Sequence, residues 1–185
     1  MVEQPDAAQL LIGRPGLRVM MAEAPAMATV MARDEQALRQ RIAAEHGLAL
    51  PSGGRCGTGD GITFIATAPG TWLALADGLS PHWPNTLAAQ LGDTAAVVGQ
   101  SGAYLLFRLE GEHAAALLQK GVFIDLHPGQ FTASSAAVTV IAHIGVILWR
   151  PDDRPGNIPH YRLAVPRSLA VSFRHWLESS AALME

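Results

Sequence analysis

The residues through which this chain could do chemistry are its histidines, its one cysteine, a few serines and a pair of adjacent aspartates. Seven histidines are present, yet none forms His-Glu-x-x-His, and no two stand three or four residues apart. No helix face therefore carries the pair of imidazoles that a metal site of that kind requires. His127 follows Asp125 by two residues, a spacing that can orient an imidazole and that equally makes a simple turn contact. The turn contact is the plainer reading. His143 falls within an apolar run and reads as a hydrogen-bonded core or interface residue rather than a ligand.

Nucleophilic catalysis finds no better footing. Cys56 stands beside Arg55, whose charge could lower a thiol pKa, but no base accompanies it and a bystander thiol is the simpler state. A single cysteine also excludes an internal disulfide and a cysteine zinc site. Ser134 and Ser135 occupy a stretch of small residues, and the Gly-x-Ser-x-Gly elbow is absent. Asp152 and Asp153 lie in a loop rich in proline. General acid–base work needs two carboxylates held in different environments, which an exposed turn does not provide, so this pair reads as turn chemistry. Gly53, Gly54, Gly57, Gly59 and Gly61 could in principle close on a phosphate. The run lacks the P-loop lysine and the Gly-x-Gly-x-x-Gly spacing, and a strand rather than a helix follows it. It reads as a flexible connector. No residue is assigned a catalytic, cofactor-binding or metal-binding role.

The elements that would position these residues are those of an α+β protein. In the first half a strand is expected near residues 26–32, and then a helix capped by Asp34 and ended by Gly47, with Leu38, Ile42 and His46 on one face. Strands at 62–68 and 72–76 form a hairpin around Pro69–Gly70, followed by a short helix at 84–91 and a strand at 95–99. This order is that of the ferredoxin-like split βαβ unit. The second half repeats much of the plan. A strand at 104–110 leads to a helix striped by Ala114, Leu117 and Leu118. Next come one long strand, or two broken near Gly145, over 138–150, a strand at 161–165, and a helix from about Ser168 burying Leu169, Phe173, Trp176 and Leu177. The organisation expected is a flexible arm over 1–16, a first half over 17–100 and a second over 101–185, together one compact folding unit.

Hydrophobic residues make up 49% of the 185 and charged residues only 16%, where about 25% charged is usual. Such a shortage of charge points to surface covered by a partner, or to an alanine-rich monomer. A net charge of −3 with no basic cluster offers nucleic acid no footprint. The first residues carry Glu3 and Asp6 rather than a basic leader, and the apolar run at 136–149 falls short of the roughly 20 residues that span a bilayer. A cytoplasmic protein without membrane contact is expected. Of the four tryptophans, Trp72 and Trp176 read as core. Trp83, between Pro81-His82 and Pro84, reads as a loop residue and interface anchor, and Trp149 fits either role.

Three segments carry a resemblance: Lys120-Gly121-Val122-Phe123-Ile124-Asp125-Leu126-His127-Pro128-Gly129-Gln130-Phe131, the run His143-Ile144-Gly145-Val146-Ile147-Leu148-Trp149-Arg150, and Tyr161-Arg162-Leu163-Ala164-Val165-Pro166-Arg167-Ser168 with the helix that ends in His175-Trp176-Leu177. They resemble the gamma subunit of heterotetrameric sarcosine oxidase. The likeness runs from about residue 26 to 177 and is most specific in 120–131, 145–153 and 161–177. It implies a fold related to the folate-binding domain of the glycine cleavage aminomethyltransferase. It also implies membership of a complex that oxidatively demethylates sarcosine to glycine, releases hydrogen peroxide and passes the one-carbon unit to tetrahydrofolate. FAD, FMN, NAD, tetrahydrofolate and zinc would then belong to the alpha, beta and delta subunits, with this chain packed on alpha as a non-catalytic support, expected to self-associate when isolated. Two alternatives are a stand-alone folate-binding aminomethyltransferase-like protein and the gamma subunit of a related N-methylglutamate or methylated-amine oxidoreductase. Lys120-Gly121-Val122-Phe123 superficially matches a Lys-Gly-Cys-Tyr motif of another folate-dependent family, but Val122 replaces the cysteine and removes its thiol.

Overall fold

A computed structural model describes residues 8–23, 26–152 and 158–184. The chain divides into two compact units, one formed by Ala24–Gly102 and the other by Met1–Glu23 with Ala103–Glu185. The first strands are β1 (Gln9–Arg14) and β2 (Leu17–Glu23), paired antiparallel with Arg14 opposite Leu17. Pro15 and Gly16 form the two-residue turn between them, Gly16 at φ +71°. Proline sets the first turn position and glycine supplies the positive φ of the second. The loose arm expected over 1–16 is thus, from Gln9, half of a hairpin, because the Pro-Gly punctuation marks a turn and not slack chain. Residues 1–7 lie outside the described residues.

The contiguous unit begins with β3 (Ala26–Ala32) and α1 (Glu35–His46). Asp34 accepts a hydrogen bond from the Ala37 N–H at 3.0 Å, and Gly47 closes the helix at φ +59°. β4 (Cys56–Gly59), β5 (Ile62–Ala68) and β6 (Thr71–Ala76) follow, then α2 (Trp83–Leu91) and β7 (Ala95–Gly99). The sheet order is β4-β5-β6-β3-β7, antiparallel throughout. Removing β4 leaves the split βαβ arrangement expected from the element order. Ala28, Val30, Phe64, Trp72 and Ala74 of one sheet face pack with Leu38 and Ile42 of α1 and with Leu87 and Leu91 of α2. Met27, Ile65, Leu73 and Leu75 on the other face are buried as well, so these strands read as unbroken apolar runs.

Two expectations are corrected here. Part of the supposed glycine-rich connector is β4, and its glycines serve close approach: a Cβ at Gly59 would lie 2.3 Å from the His46 carbonyl oxygen, and one at Gly57 would lie 3.0 Å from Leu48 Cδ1. The chain leaving α1 crosses this strand at backbone distance, which only glycine permits. Trp83 is no exposed loop anchor either. It opens α2 with Pro84 behind it and is buried in the core of this unit.

The split unit resumes with β8 (Tyr104–Glu110) and α3 (Ala114–Gln119), continues through β9 (Ala136–Ile141), β10 (Ile144–Trp149) and β11 (His160–Pro166), and ends with α4 (Ala170–Ala182). Its sheet runs β1-β2-β8-β11-β10-β9. Phe107, Leu109, Val146, Leu148, Tyr161, Leu163 and Val19 turn one face toward Leu117 and Leu118 of α3 and Phe173 and Leu177 of α4. Phe107 and Phe173 meet edge to face at 5.0 Å.

The two candidate strands of 138–150 are real, but the break is at Ala142–His143 and not at Gly145. Both turn residues have positive φ, +49° and +65°, the signature of the two-residue hairpin turn whose twist suits the flanking strands. His143 is therefore an exposed turn residue, not a core one. The last helix also starts later than Ser168: a short 3₁₀ turn at Arg167–Leu169 precedes it, leaving Leu169 exposed. Trp176 is half-buried, its ring 5.6 Å from Phe173. The expected boundary at 16/17 is displaced too, since β1 and β2 pair with β8 through β2 and so belong with residues 103–185.

Candidate functional site

In the contiguous unit a cleft of about 480 Å³ opens beside α1, lined by Glu35, Arg39, Trp72, the glycine loop at Ser52–Gly54 and the Pro69–Gly70 turn. Position i and i+4 on α1 put Glu35 and Arg39 on the same side. Arg39 Nε and Nη2 both donate to Glu35 Oε1, at 3.0 and 2.7 Å, while Nη1 donates to the Leu50 carbonyl oxygen. The guanidinium lies 5.8 Å from the Trp72 ring centroid, and Trp72 Nε1 donates to the Pro51 carbonyl oxygen at 2.7 Å. The Arg39 fork and the indole N–H are thereby committed to the chain's own carboxylate and carbonyls. The cleft is a clamp that ties the segment after α1 to β6.

The loop at 120–131, the most specific of the resembling segments, is held by side-chain to backbone bonds. Gln119 Nε2 donates to the Ile124 carbonyl oxygen at 3.1 Å, and its Oε1 accepts from the Leu126 N–H at 3.2 Å. Asp125 Oδ1 accepts from the His127 N–H at 2.8 Å, and His127 Nδ1 accepts from the Gly129 N–H at 3.2 Å. The Asp-x-His spacing is thus turn chemistry. Val122, Leu126 and Phe131 are buried, whereas Phe123 is 86% exposed.

The remaining candidates do not converge. Cys56 is buried in β4. Ser134 donates to Asp152 Oδ1 at 3.0 Å, as a loop contact; Asp153 lies outside the described residues. Among the described residues no three of His, Cys, Asp and Glu gather where they could hold a metal. Strand register does collect residues that separation in sequence hides. His160 stands opposite Glu110, Arg162 opposite Arg108, and Arg18 opposite Glu110, all on one face of the split-unit sheet. Arg108, Glu110, His160 and Arg162 each have a polar or electrostatic partner, and like charges facing each other across strands need such compensation. Only the pairing of β2, β8 and β11 reveals this stripe. At the end of β2, Glu23 accepts two hydrogen bonds from the Arg167 guanidinium. These bonds, with the charge of Arg167 beside them, hold its carboxyl below the usual range and raise Arg167 above its own.

The description "Sarcosine oxidase, gamma subunit family" belongs to the family whose model matches residues 35–183. The sarcosine oxidase subunit gamma of Corynebacterium sp. (strain U-96) is 32% identical over 140 residues, covering 74% of this chain and 65% of that relative. The subunit gamma of an Arthrobacter species is 31% identical over 139 residues, covering 74% and 66%. The chain thus spans just under two thirds of the length of these relatives. Among solved structures, a chain of the heterotetrameric sarcosine oxidase from Corynebacterium sp. U-96, in complex with pyrrole 2-carboxylate, superposes with a TM-score of 0.75 at 27% identity, over 89% of this chain and 84% of that one. The glycine cleavage system aminomethyltransferase T of Bartonella henselae gives a TM-score of 0.66 at 14% identity, over 89% of this chain and 46% of that one, a likeness of fold alone. With matched residues running through both units, the chain belongs to the sarcosine oxidase gamma subunit family.

Proposed function

We propose that this chain is a non-catalytic subunit of a heterotetrameric oxidase that demethylates sarcosine to glycine, with tetrahydrofolate as one-carbon acceptor. The observation that carries the reading is the family match over residues 35–183, which crosses both units rather than resting on one motif. The internal wiring supports the passive role. Arg39, Trp72, Gln119 and Asp125 spend their hydrogen bonds on this chain's own backbone or on a neighbouring carboxylate. In this reading the alpha subunit is the direct partner, beta and delta complete the assembly, and FAD, FMN, NAD, tetrahydrofolate and zinc reside on those subunits.

The test is co-expression with the alpha, beta and delta chains. The four should co-elute with flavin absorbance and sarcosine-dependent peroxide release, and omitting this chain should lower the yield or thermal stability of the remainder without creating a new activity. Turnover of sarcosine, or micromolar binding of tetrahydrofolate, by the isolated chain would defeat the non-catalytic reading. Comparing sarcosine with N-methylglutamate in the assembled enzyme identifies the amine.

A further inference from the structure

Three strands of the split unit end together at one corner of its sheet. The pairing of β1 with β2 runs no further than Met21, and that of β10 with β11 stops at Ala164. Beyond those points Ala22 and Glu23 of β2 stand opposite Leu106 and Leu105 of β8, and Val165 and Pro166 of β11 stand opposite Leu105 and Tyr104. Among the described residues the six-stranded sheet thus narrows at this corner to β2, β8 and β11. Strand ends with few neighbours open locally more often than the rest of their sheet.

The same corner is where the polypeptide passes to and from residues 24–102. Glu23 is the last residue of the split unit before that insertion, and Ala103 is the first after it. Both are held by Arg167, in the segment Val165-Pro166-Arg167-Ser168 that carries part of the resemblance. The Arg167 backbone N–H donates to the Ala103 carbonyl oxygen at 2.9 Å. Its Nη1 donates to Glu23 Oε1 at 3.1 Å and its Nη2 donates to Oε2, a fork on one carboxylate.

The span makes this pair different from an ordinary surface contact. β2 and β11 lie on opposite sides of β8, two ladder spacings or roughly 10 Å apart. One arginine and one glutamate side chain close that gap, reaching past the start of β8. The planar guanidinium suits the task because it meets both carboxylate oxygens at once, where an ammonium would offer a single point charge. The other pair of comparable exposure in this unit, Arg174 with Glu178, lies within one turn of α4 and joins nothing that the helix does not already join.

We propose that Arg167 is a strap across this corner. By gripping Glu23 it limits how often the ends of β2, β8 and β11 open, and so how firmly the chain is held where it leaves for residues 24–102 and returns. The device is local. A half-exposed pair adds little to global stability, but an opening confined to three strand ends is itself shallow, so the same increment weighs heavily there. The inference is independent of the proposed subunit role, since it concerns only how this chain holds itself.

The experiment is hydrogen–deuterium exchange of the full chain, read by mass spectrometry as protection factors, for wild type, Arg167→Gln, Glu23→Gln, the double variant, and Arg174→Gln as control. Overlapping peptides that resolve residues 20–23 and 103–106 should exchange about two- to fivefold faster in Arg167→Gln, the range an exposed ion pair supports. Glu23→Gln and the double variant should match it, because each removes the same grip. Arg174→Gln should leave the corner as in wild type. Unchanged protection at the corner in Arg167→Gln overturns the inference. So does acceleration spread evenly over the split unit, which would make the pair a contributor to global stability alone. A double variant whose effect is the sum of the two singles overturns it as well, since the two residues would then act separately.

Discussion

Gly111 follows β8 at φ +110°, and a Cβ on it would come within 2.2 Å of the Gly16 carbonyl oxygen. Both the backbone angle and the space exclude any other residue. Gly111→Ala should therefore destabilise the chain by about 2–4 kcal/mol in denaturant melts, whereas Gly145→Ala, with open space around it, should shift the midpoint little. The Glu23–Arg167 pair makes a smaller and pH-dependent contribution. The folded carboxyl is depressed, chiefly by the hydrogen bonds from Arg167. The pair's stabilisation is thus complete above the unfolded glutamate value of about 4.3 and fades as pH falls through the lower folded value. Both side chains are half exposed, which keeps the effect modest. Glu23→Gln should lower Tm slightly at pH 7, and the gap between the wild-type and variant curves should narrow progressively as the pH falls below about 4; 1 M salt at pH 7 should shrink the gap. A gap that stays constant as the pH is lowered would assign the effect to packing.

Helix α1 shows how far local signals carry. Its limits were legible because both are written in the residues that make them: Asp34 bonds the Ala37 N–H, and Gly47 takes the left-handed angle. Asp34→Ala should cost about 1 kcal/mol, read as a lower urea midpoint with unchanged slope. β4 was not legible, because Cys-Gly-Thr-Gly has no strand propensity of its own and is recruited by β5 and by the chain passing over Gly59. The β9–β10 turn was misplaced for a related reason. Ala142 and His143 adopt positive φ without the asparagine or glycine that usually announces it, while Gly145 supplied a false cue. Flanking prolines mark a loop and a helix start alike, so the sequence around Trp83 reads as a loop where the structure begins α2. As for the candidate site, the local turn of Asp125 and His127 could be read directly, but the clamp of Arg39 on Trp72 and the grip of Arg167 on Glu23 could not. Each of those depends on which strands become neighbours.

At the scale of the whole chain, the two units repeat one topology with a different cut. In the contiguous unit the order β4-β5-β6-β3-β7 closes with the strand that follows α2. In the split unit the matching order is β9-β10-β11-β8-β2, so the place of β7 is taken by β2, which precedes everything else in that sheet except β1. No sequence similarity announces this, because the equivalence lies in pairing and direction: β2 lies antiparallel on β8 as β7 does on β3. The strand after α4 has in effect moved to the front of the chain, which joins β1 and β2 to residues 103–185 across the intervening unit in sequence. A permutation test follows from the repeat. Deleting residues 1–23 removes Leu17 and Val19 from the core and turns β8 from an interior strand into an open edge, so that protein should lose cooperative unfolding and aggregate. A permutant in which 17–23 follow residue 184 through a short flexible linker recreates the α2-to-β7 path behind α4, at the cost only of the edge strand β1. It should be soluble, with a single thermal transition and wild-type near-ultraviolet circular dichroism. If the permutant fails as completely as the deletion, β2 does more than fill the vacant fourth place, and the equivalence of the two sheets is only formal.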